Sequence, residues 1–225
     1  MYTDIVKINI AAGEESGPGP EDIQNAAAAK AAAELLRKGR IVAFPTDTVY
    51  GLGAVFNNAQ AVRGIFEAKG RPENKPLSIL VSDIKQLDML AADIAPEAYI
   101  LMKRFWPGAL TLIFRKNDLA GIPEEVTAGG DTIGVRMPAL KFARDLIDMT
   151  GMPLAAPSAN LSGKRSSVSG QDVIEDLNGR VDMIIDGGAC RLGLSSTVID
   201  MSEGSIKLLR QGSISMDMIE AQLRS

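Results

Sequence analysis

Three cations, Lys69, Arg71 and Lys75, fall within seven residues in the segment KGRPENKP. Two prolines and a glycine keep that segment out of helix. Held on a stiff loop, the cations suit either a receptor for phosphate or carboxylate groups, with Arg71 offering a bidentate fork, or a solvated surface turn. A second stretch, FPTDTVYGLG at residues 44–53, follows the apolar run IVA. It places Thr46, Asp47, Thr48 and Tyr50 just past a buried strand's C-terminal end, where ligands sit in open α/β sheets. Hydroxyls and a carboxylate that merely cap a turn would give the same composition. Gly51 and Gly53 are read as letting the backbone turn closely behind them. A third stretch, APSANLSGKRSSVSG at residues 156–170, is dense in hydroxyls, amide and glycine, with Lys164 and Arg165 inside it. Such a loop either presents N–H and hydroxyl groups to an anion or is a flexible serine-rich connection. In TIGVRMP an apolar strand ends on Arg136, which needs an anionic partner if it is buried. Ser195, Ser196 and Thr197 precede a further strand, and capping explains them equally well.

The residue inventory narrows the chemistry. With no histidine in 225 residues, His-based triads, His metal sites and a His general base are excluded together. Lys, Arg, carboxylates, hydroxyls, backbone amides or a bound metal remain. Neither GxGxxG nor GxxxxGK[ST] occurs, so neither common nucleotide fingerprint applies. The lone Cys190 cannot form an internal disulfide and points to a reducing cytoplasm. A net charge of −4 argues against coating nucleic acid through the whole surface and leaves room for a local basic cleft. At 46% hydrophobic and 23% charged residues the composition is that of an ordinary soluble domain. No stretch approaches the roughly 20 apolar residues of a membrane span, and MYTDIVKINIAAGEE lacks the form of a secretory signal.

The elements that must hold these loops alternate between strand and helix. Residues 1–20 read as a strand, TDIVKINI, and a mobile loop. Pro20 then opens a helix through EDIQNAAAAKAAAELLRKG that stops at Gly39, with Ile23, Ala27, Ala31 and Leu35 on its packed face. Strands are expected in RIVAF, PLSILVS, ALTLIF, TIGVRM, PLAA, DMIID, STVID and IKLLR. Helices are expected in AVRGIFEAKG, IKQLDML, PEAYILMKRFW, LKFARDLIDMTG, QDVIEDL and, over residues 214–225, ISMDMIEAQLR. This alternation predicts a single α/β domain over residues 21–213, a large, mixed, twisted sheet flanked by helices, with the last helix packed on the same domain.

Seven blocks, FPTDTVYGLG, KGRPENKPLS, FWPGALTLIF, GVRMP, APSANLSGKRS, SSTVID and LLRQG, closely resemble in this order the YrdC-like family of threonylcarbamoyl-AMP synthases. The likeness runs from about Glu21 to about Ser213. Any one block alone is weak; their number and order carry the resemblance. The family's KxR and SxN signature appears as Lys69, Arg71, Ser158 and Asn160. The resemblance implies a YrdC-like fold with a basic concave cleft. It also implies synthesis of threonylcarbamoyl-AMP and pyrophosphate from L-threonine, bicarbonate and ATP with Mg²⁺. The product would feed a downstream transferase that modifies tRNA. By the same likeness Thr48, Arg136, Ala156 and Ser196 hold threonine, and Arg71, Lys75, Thr132, Ser158, Ser166 and Arg210 hold ATP. Lys69 and Arg71 carry the catalytic roles, Asn160 lines the same cleft, and no metal ligands are assigned. No motif residue is an evident nucleophile, so no covalent enzyme intermediate is expected. One departure stands out: relatives often carry histidine where this chain has Leu80, which is left outside the expected site. Two other readings stay open. One is a non-catalytic module that holds double-stranded RNA, tRNA or ribosome precursors. The other, carbamoyl transfer in metallocentre maturation, sits poorly with a single cysteine.

Overall fold

A computed structural model describes residues 2–10 and 20–224; the mobile loop expected over residues 11–19 lies outside the described residues. The elements in chain order are β1 (Asp4–Lys7), α1 (Pro20–Arg37), β2 (Val42–Phe44), β3 (Gly51–Val55), α2 (Ala59–Lys69) and β4 (Ser78–Leu80). Then come α3 (Leu87–Leu90), β5 (Ala91–Ala92), α4 (Pro96–Phe105), β6 (Leu110–Lys116), α5 (Glu124–Thr127), β7 (Thr132–Arg136) and α6 (Lys141–Thr150). The chain closes with β8 (Leu154–Ala155), α7 (Gly170–Leu177), β9 (Met183–Asp186), β10 (Thr197–Asp200), β11 (Lys207–Arg210) and α8 (Met216–Arg224).

Local chemistry sets these boundaries. The side chain of Asn58 accepts the Ala61 N–H at the start of α2, and Gly70 ends that helix in the left-handed region at φ 56°, a conformation glycine adopts without a Cβ penalty. Ser169 and Asp172 form a reciprocal capping box on α7, satisfying N–H groups that a helix start otherwise leaves open.

The strands form one mixed sheet in the order β1-β9-β2-β3-β8-β4-β7-β6-β10-β11, with β5 on the flank of β6. Alternate strand residues enter two separate cores. Ala43, Leu52, Ile79, Val135, Ala155 and Ile184 join the core beneath α2, α4, α7 and α8. Val42, Phe44, Leu80, Leu154 and Ile185 join the core under α1 and α6. Ile219 of α8 is fully buried in the core that it shares with α4. β1 pairs in parallel with β9 and is the sheet's edge rather than a separate unit.

Two expectations are corrected. Helix α1 packs, but through Ala28, Ala29, Ala32, Ala33 and Leu36, while Ile23 is 71% exposed and Ala27 and Ala31 face outward. An alanine tract offers the same small side chain on every face, so the sequence pattern does not select one; close approach to α6 does. Gly51 and Gly53 lie in strand β3 rather than in a turn. A Cβ on Gly53 would meet Phe44 Cε1 at 2.7 Å, so the glycine makes room for an aromatic ring in the next strand.

Helices α1 and α6 cover only part of their face of the sheet. Along β4, β7, β6 and β10 that face carries Ser78, Gly134, Thr132, Ile113 and Val198, all half-exposed, whereas Ile79, Ile133, Val135, Leu112 and Ile199 on the reverse are buried. The uncovered strip, beside the loop that follows β2, is where a ligand can sit.

Candidate active site

The same face of the sheet, through Ser78, Leu80, Thr111 and Arg136, floors a cleft of about 180 Å³. All four residues expected to hold threonine line it: Thr48, Arg136, Ala156 and Ser196. Of those expected to hold ATP, Arg71, Ser158, Ser166 and Arg210 line it as well. Lys75 is exposed on its loop and is not part of the lining. Thr132 shares the sheet face of Arg136 but lies four residues, roughly 13 Å, along β7. Among the described lining residues there are three arginines and no carboxylate.

Arg136 is the best-defined of them. Its Nη2 donates to Asp47 Oδ1 at 2.5 Å, its Nη1 to Thr48 Oγ1 at 2.6 Å and its Nε to the Gly108 carbonyl at 2.8 Å. Three of five N–H donors are thus held by the protein, and one on each terminal nitrogen is left over. Both Arg136 and Asp47 are buried. Burial pulls the Arg136 pKa down, and the Asp47 carboxylate pushes it back up. Asp47 Oδ1 also accepts the Ala139 N–H at 2.8 Å, while Oδ2 is buried without a hydrogen-bond partner among the described residues.

The loop after β2 answers the question of caps against ligand groups residue by residue. Thr46 does cap: its hydroxyl donates to the Val49 carbonyl at 2.6 Å and accepts the Thr48 N–H. Because the Thr46 proton is spent there, the 3.0 Å contact between Thr46 and Thr48 hydroxyls has Thr48 as donor. Thr48 therefore faces the cleft as an acceptor, suited to an amine N–H. Asp47 serves Arg136. Tyr50 is a strut: its hydroxyl donates to the Gly188 carbonyl at 2.7 Å and accepts the Gly187 N–H at 3.0 Å, and burial pushes its phenol pKa up.

The signature residues divide. Arg71 is half-buried in the cleft wall, with Nη2 donating to the Pro76 carbonyl at 3.0 Å. Lys69 lies behind the wall and is 2% exposed, and its ammonium donates to the Ser158 and Asn160 carbonyls. Burial, helped by the Arg71 charge, pushes its pKa down to about 8, with Asp176 opposing. Asn160 is buried in the same knot: its Oδ1 accepts from Ser158 Oγ at 2.5 Å, and its amide donates to the Leu161 and Lys164 carbonyls. Lys69 and Asn160 shape the loop that presents Ser158, and neither lines the cleft.

Across the floor, Ser196 Oγ sits 2.7 Å from Thr111 Oγ1, and Arg210 reaches the same hydroxyl at 3.1 Å and the Ser196 carbonyl at 3.0 Å. Sequence reasoning named Asp47 in the loop without pairing it with Arg136, left Leu80 outside the site, and missed Thr111. The need of Arg136 for an anion signalled a partner, but not which carboxylate. No signal in the chain singled out Thr111.

The family model for Sua5/YciO/YrdC, described as "Telomere recombination", matches residues 34–212. Over 189 residues the chain is 50% identical to the threonylcarbamoyl-AMP synthase of Pyrococcus abyssi, covering 84% of this chain and 55% of that one. It is also 50% identical over 190 residues to the Bacillus subtilis protein of the same name, with the same coverage, 84% and 55%. The chain therefore spans about half the length of these curated relatives. The crystal structure of P. abyssi Sua5 complexed with L-threonine matches with a TM-score of 0.88 at 44% identity, over 98% of this chain and 61% of that one. On the family match across most of its length, the shared fold and these identities, the chain belongs to the Sua5/YciO/YrdC family.

Proposed function

We propose that the cleft makes threonylcarbamoyl-AMP and pyrophosphate from L-threonine, bicarbonate and ATP, for the modification of tRNA. The observation that carries this reading is Arg136: a buried, charge-compensated guanidinium that keeps two N–H donors, beside a hydroxyl acceptor at Thr48. A carboxylate donor pair next to an amine acceptor is what an α-amino acid needs. An RNA-binding surface needs cations but no such pocket, which favours the enzyme over a non-catalytic RNA module. Relatives named threonylcarbamoyl-AMP synthase and a related protein solved with L-threonine support the same choice.

In this reading the threonine amine attacks the carbonate carbon and water leaves. The resulting carbamate oxygen attacks the ATP α-phosphorus, and pyrophosphate departs. Every reactant is anionic, so the work is positioning and charge neutralisation. Arg71, half-buried, and Arg210, exposed at the end of β11, both with pKa values lowered by partial desolvation, stand beside Ser158 and Ser166 to take phosphate oxygens. Mg²⁺ arrives with ATP. Among the described residues no group of three or more His, Cys, Asp or Glu side chains is placed to hold a metal ion. Also among them, no helix is long and apolar enough to cross a membrane; a cytoplasmic setting and a transferase partner belong to the proposal.

Arg136→Lys tests the division of the cleft. A bidentate fork becomes a single point charge, a loss of about 1.5–3 kcal/mol, so L-threonine affinity should fall roughly tenfold to a hundredfold. Affinity for a non-hydrolysable ATP analogue should be nearly unchanged. Separate calorimetric titrations decide it, and equal weakening of both ligands would assign Arg136 to the phosphates.

A further inference from the structure

Strand β11 pairs antiparallel with β10, but the register slips: Ile199 stands opposite Leu208, whereas Val198 stands opposite Arg210. Leu209 is therefore an extra residue, a β-bulge on the outermost strand, and bulges beside sites re-aim side chains. Residues opposite one another in an antiparallel pair share a face of the sheet. Without Leu209, Arg210 would stand opposite Thr197, which is buried and alternates onto the reverse face with Ile199. With it, Arg210 stands opposite Val198 and comes round to line the cleft. There its Nε donates to the Ser196 carbonyl at 3.0 Å and its Nη2 to Ser196 Oγ at 3.1 Å, and three of its five N–H donors stay available. Two residues further on, the Gly212 N–H donates to Thr197 Oγ1 at 3.0 Å, and the same hydroxyl donates to the Ile214 carbonyl at 2.7 Å. A Cβ built on Gly212 would stand 2.6 Å from the Ser196 carbonyl carbon, and closer still to the Ser195 carbonyl oxygen and the Thr197 nitrogen. These neighbours are main chain, so only backbone movement admits a side chain, and the backbone that would move carries Ser196.

We infer that Gly212 is a positioning residue for the phosphate side of the cleft. Its bare Cα lets the turn after β11 close on the Ser195–Thr197 backbone, and together with the bulge at Leu209 this fixes the Arg210 guanidinium against Ser196. The inference rests on the proposed assignment of Arg210 to ATP and deepens it: an arginine on an exposed edge strand acts on the ligand only while the bulge and the glycine hold its direction. Gly212 touches no ligand and acts through Arg210.

The test is calorimetric titration of a non-hydrolysable ATP analogue into the wild type, Arg210→Ala, Gly212→Ala and the double variant, with Ile219→Val, a core change away from the cleft, as the stability control. Arg210→Ala should weaken the analogue roughly tenfold to a hundredfold. Gly212→Ala should weaken it by roughly tenfold although the guanidinium is still present. In the double variant the loss should equal that of Arg210→Ala alone, because a misdirected arginine has little left to lose. Ile219→Val should lower the urea midpoint and keep the wild-type affinity, which is the pattern Gly212→Ala would show if it only stabilised the fold. Deletion of Leu209 from the exposed edge strand is the second variant: it turns Arg210 to the reverse face and should match Arg210→Ala. Wild-type affinity in folded Gly212→Ala, or in the Leu209 deletion if the former does not fold, overturns the inference, as do losses that add in the double variant. If Arg210→Ala itself binds the analogue like the wild type, the assignment of Arg210 to ATP falls, and the positioning role with it.

Discussion

Asp47→Ala is expected to destabilise the protein by about 3–5 kcal/mol, the usual cost of leaving one member of a buried ion pair alone. Arg136 and Asp47 have side-chain exposures of 7% and 3%, so neither charge can turn to water once its partner is gone. The carboxylate also holds the Ala139 N–H, fixing the turn between β7 and α6, and that donor would lose its acceptor. Against a total stability of 5–15 kcal/mol for a typical domain, the loss is a large share. Asp47→Asn keeps a neutral acceptor for both donors and should cost less than the alanine variant. Urea denaturation, read as a fall in midpoint at constant slope, measures it. A loss below about 1 kcal/mol would mean that Arg136 is effectively solvated and that the pair is not what holds its guanidinium over the cleft.

Lys69→Met should lower ATP-dependent turnover by about a hundredfold, the scale of loss when reacting groups are misplaced by an ångström. The methionine fills the same volume but cannot donate to the Ser158 and Asn160 carbonyls, so the loop presenting Ser158 relaxes. The Ser158 carbonyl keeps the Asn160 N–H at 3.1 Å, whereas the buried Asn160 carbonyl loses its donor at a cost of about 1–3 kcal/mol, which adds a stability loss near neutral pH. The ammonium also has a pH signature. Its pKa is pushed down to about 8 from the ordinary 10.5, with burial the largest cause. Below pH 8 lysine is charged in both states, and the burial penalty is present in full. Between pH 8 and 10.5 the unfolded chain binds more protons than the folded one, so this group's contribution to stability rises with pH across that window. The wild type should show that rise relative to Lys69→Met in denaturation series at pH 7, 9 and 10.5. Parallel curves would place the ammonium in solvent.

The order of elements was legible because hydrophobic runs, prolines and glycines punctuate the chain, and every expected strand from TIGVRM to IKLLR forms. What was not legible depended on distance. Asp47 and Arg136 are 89 residues apart in the chain, and no local pattern tells which carboxylate completes an arginine at a strand end. The glycines of β3 looked like turn residues because nothing in GLG reveals that Phe44 lies across from them. Lys69 looked like a surface cation because Pro and Gly follow it, yet it is the last residue of α2, which carries it under the loop. Leu80 was left outside the expected site, and it is core except for an edge that lines the cleft.

The most direct test of the central claim is pyrophosphate release measured with ATP, bicarbonate and L-threonine together and with each omitted in turn. If the carbamate of threonine is the nucleophile, release should require all three, and adding bicarbonate to a depleted mixture should restore it. Equal release without bicarbonate, or without threonine, would contradict the account.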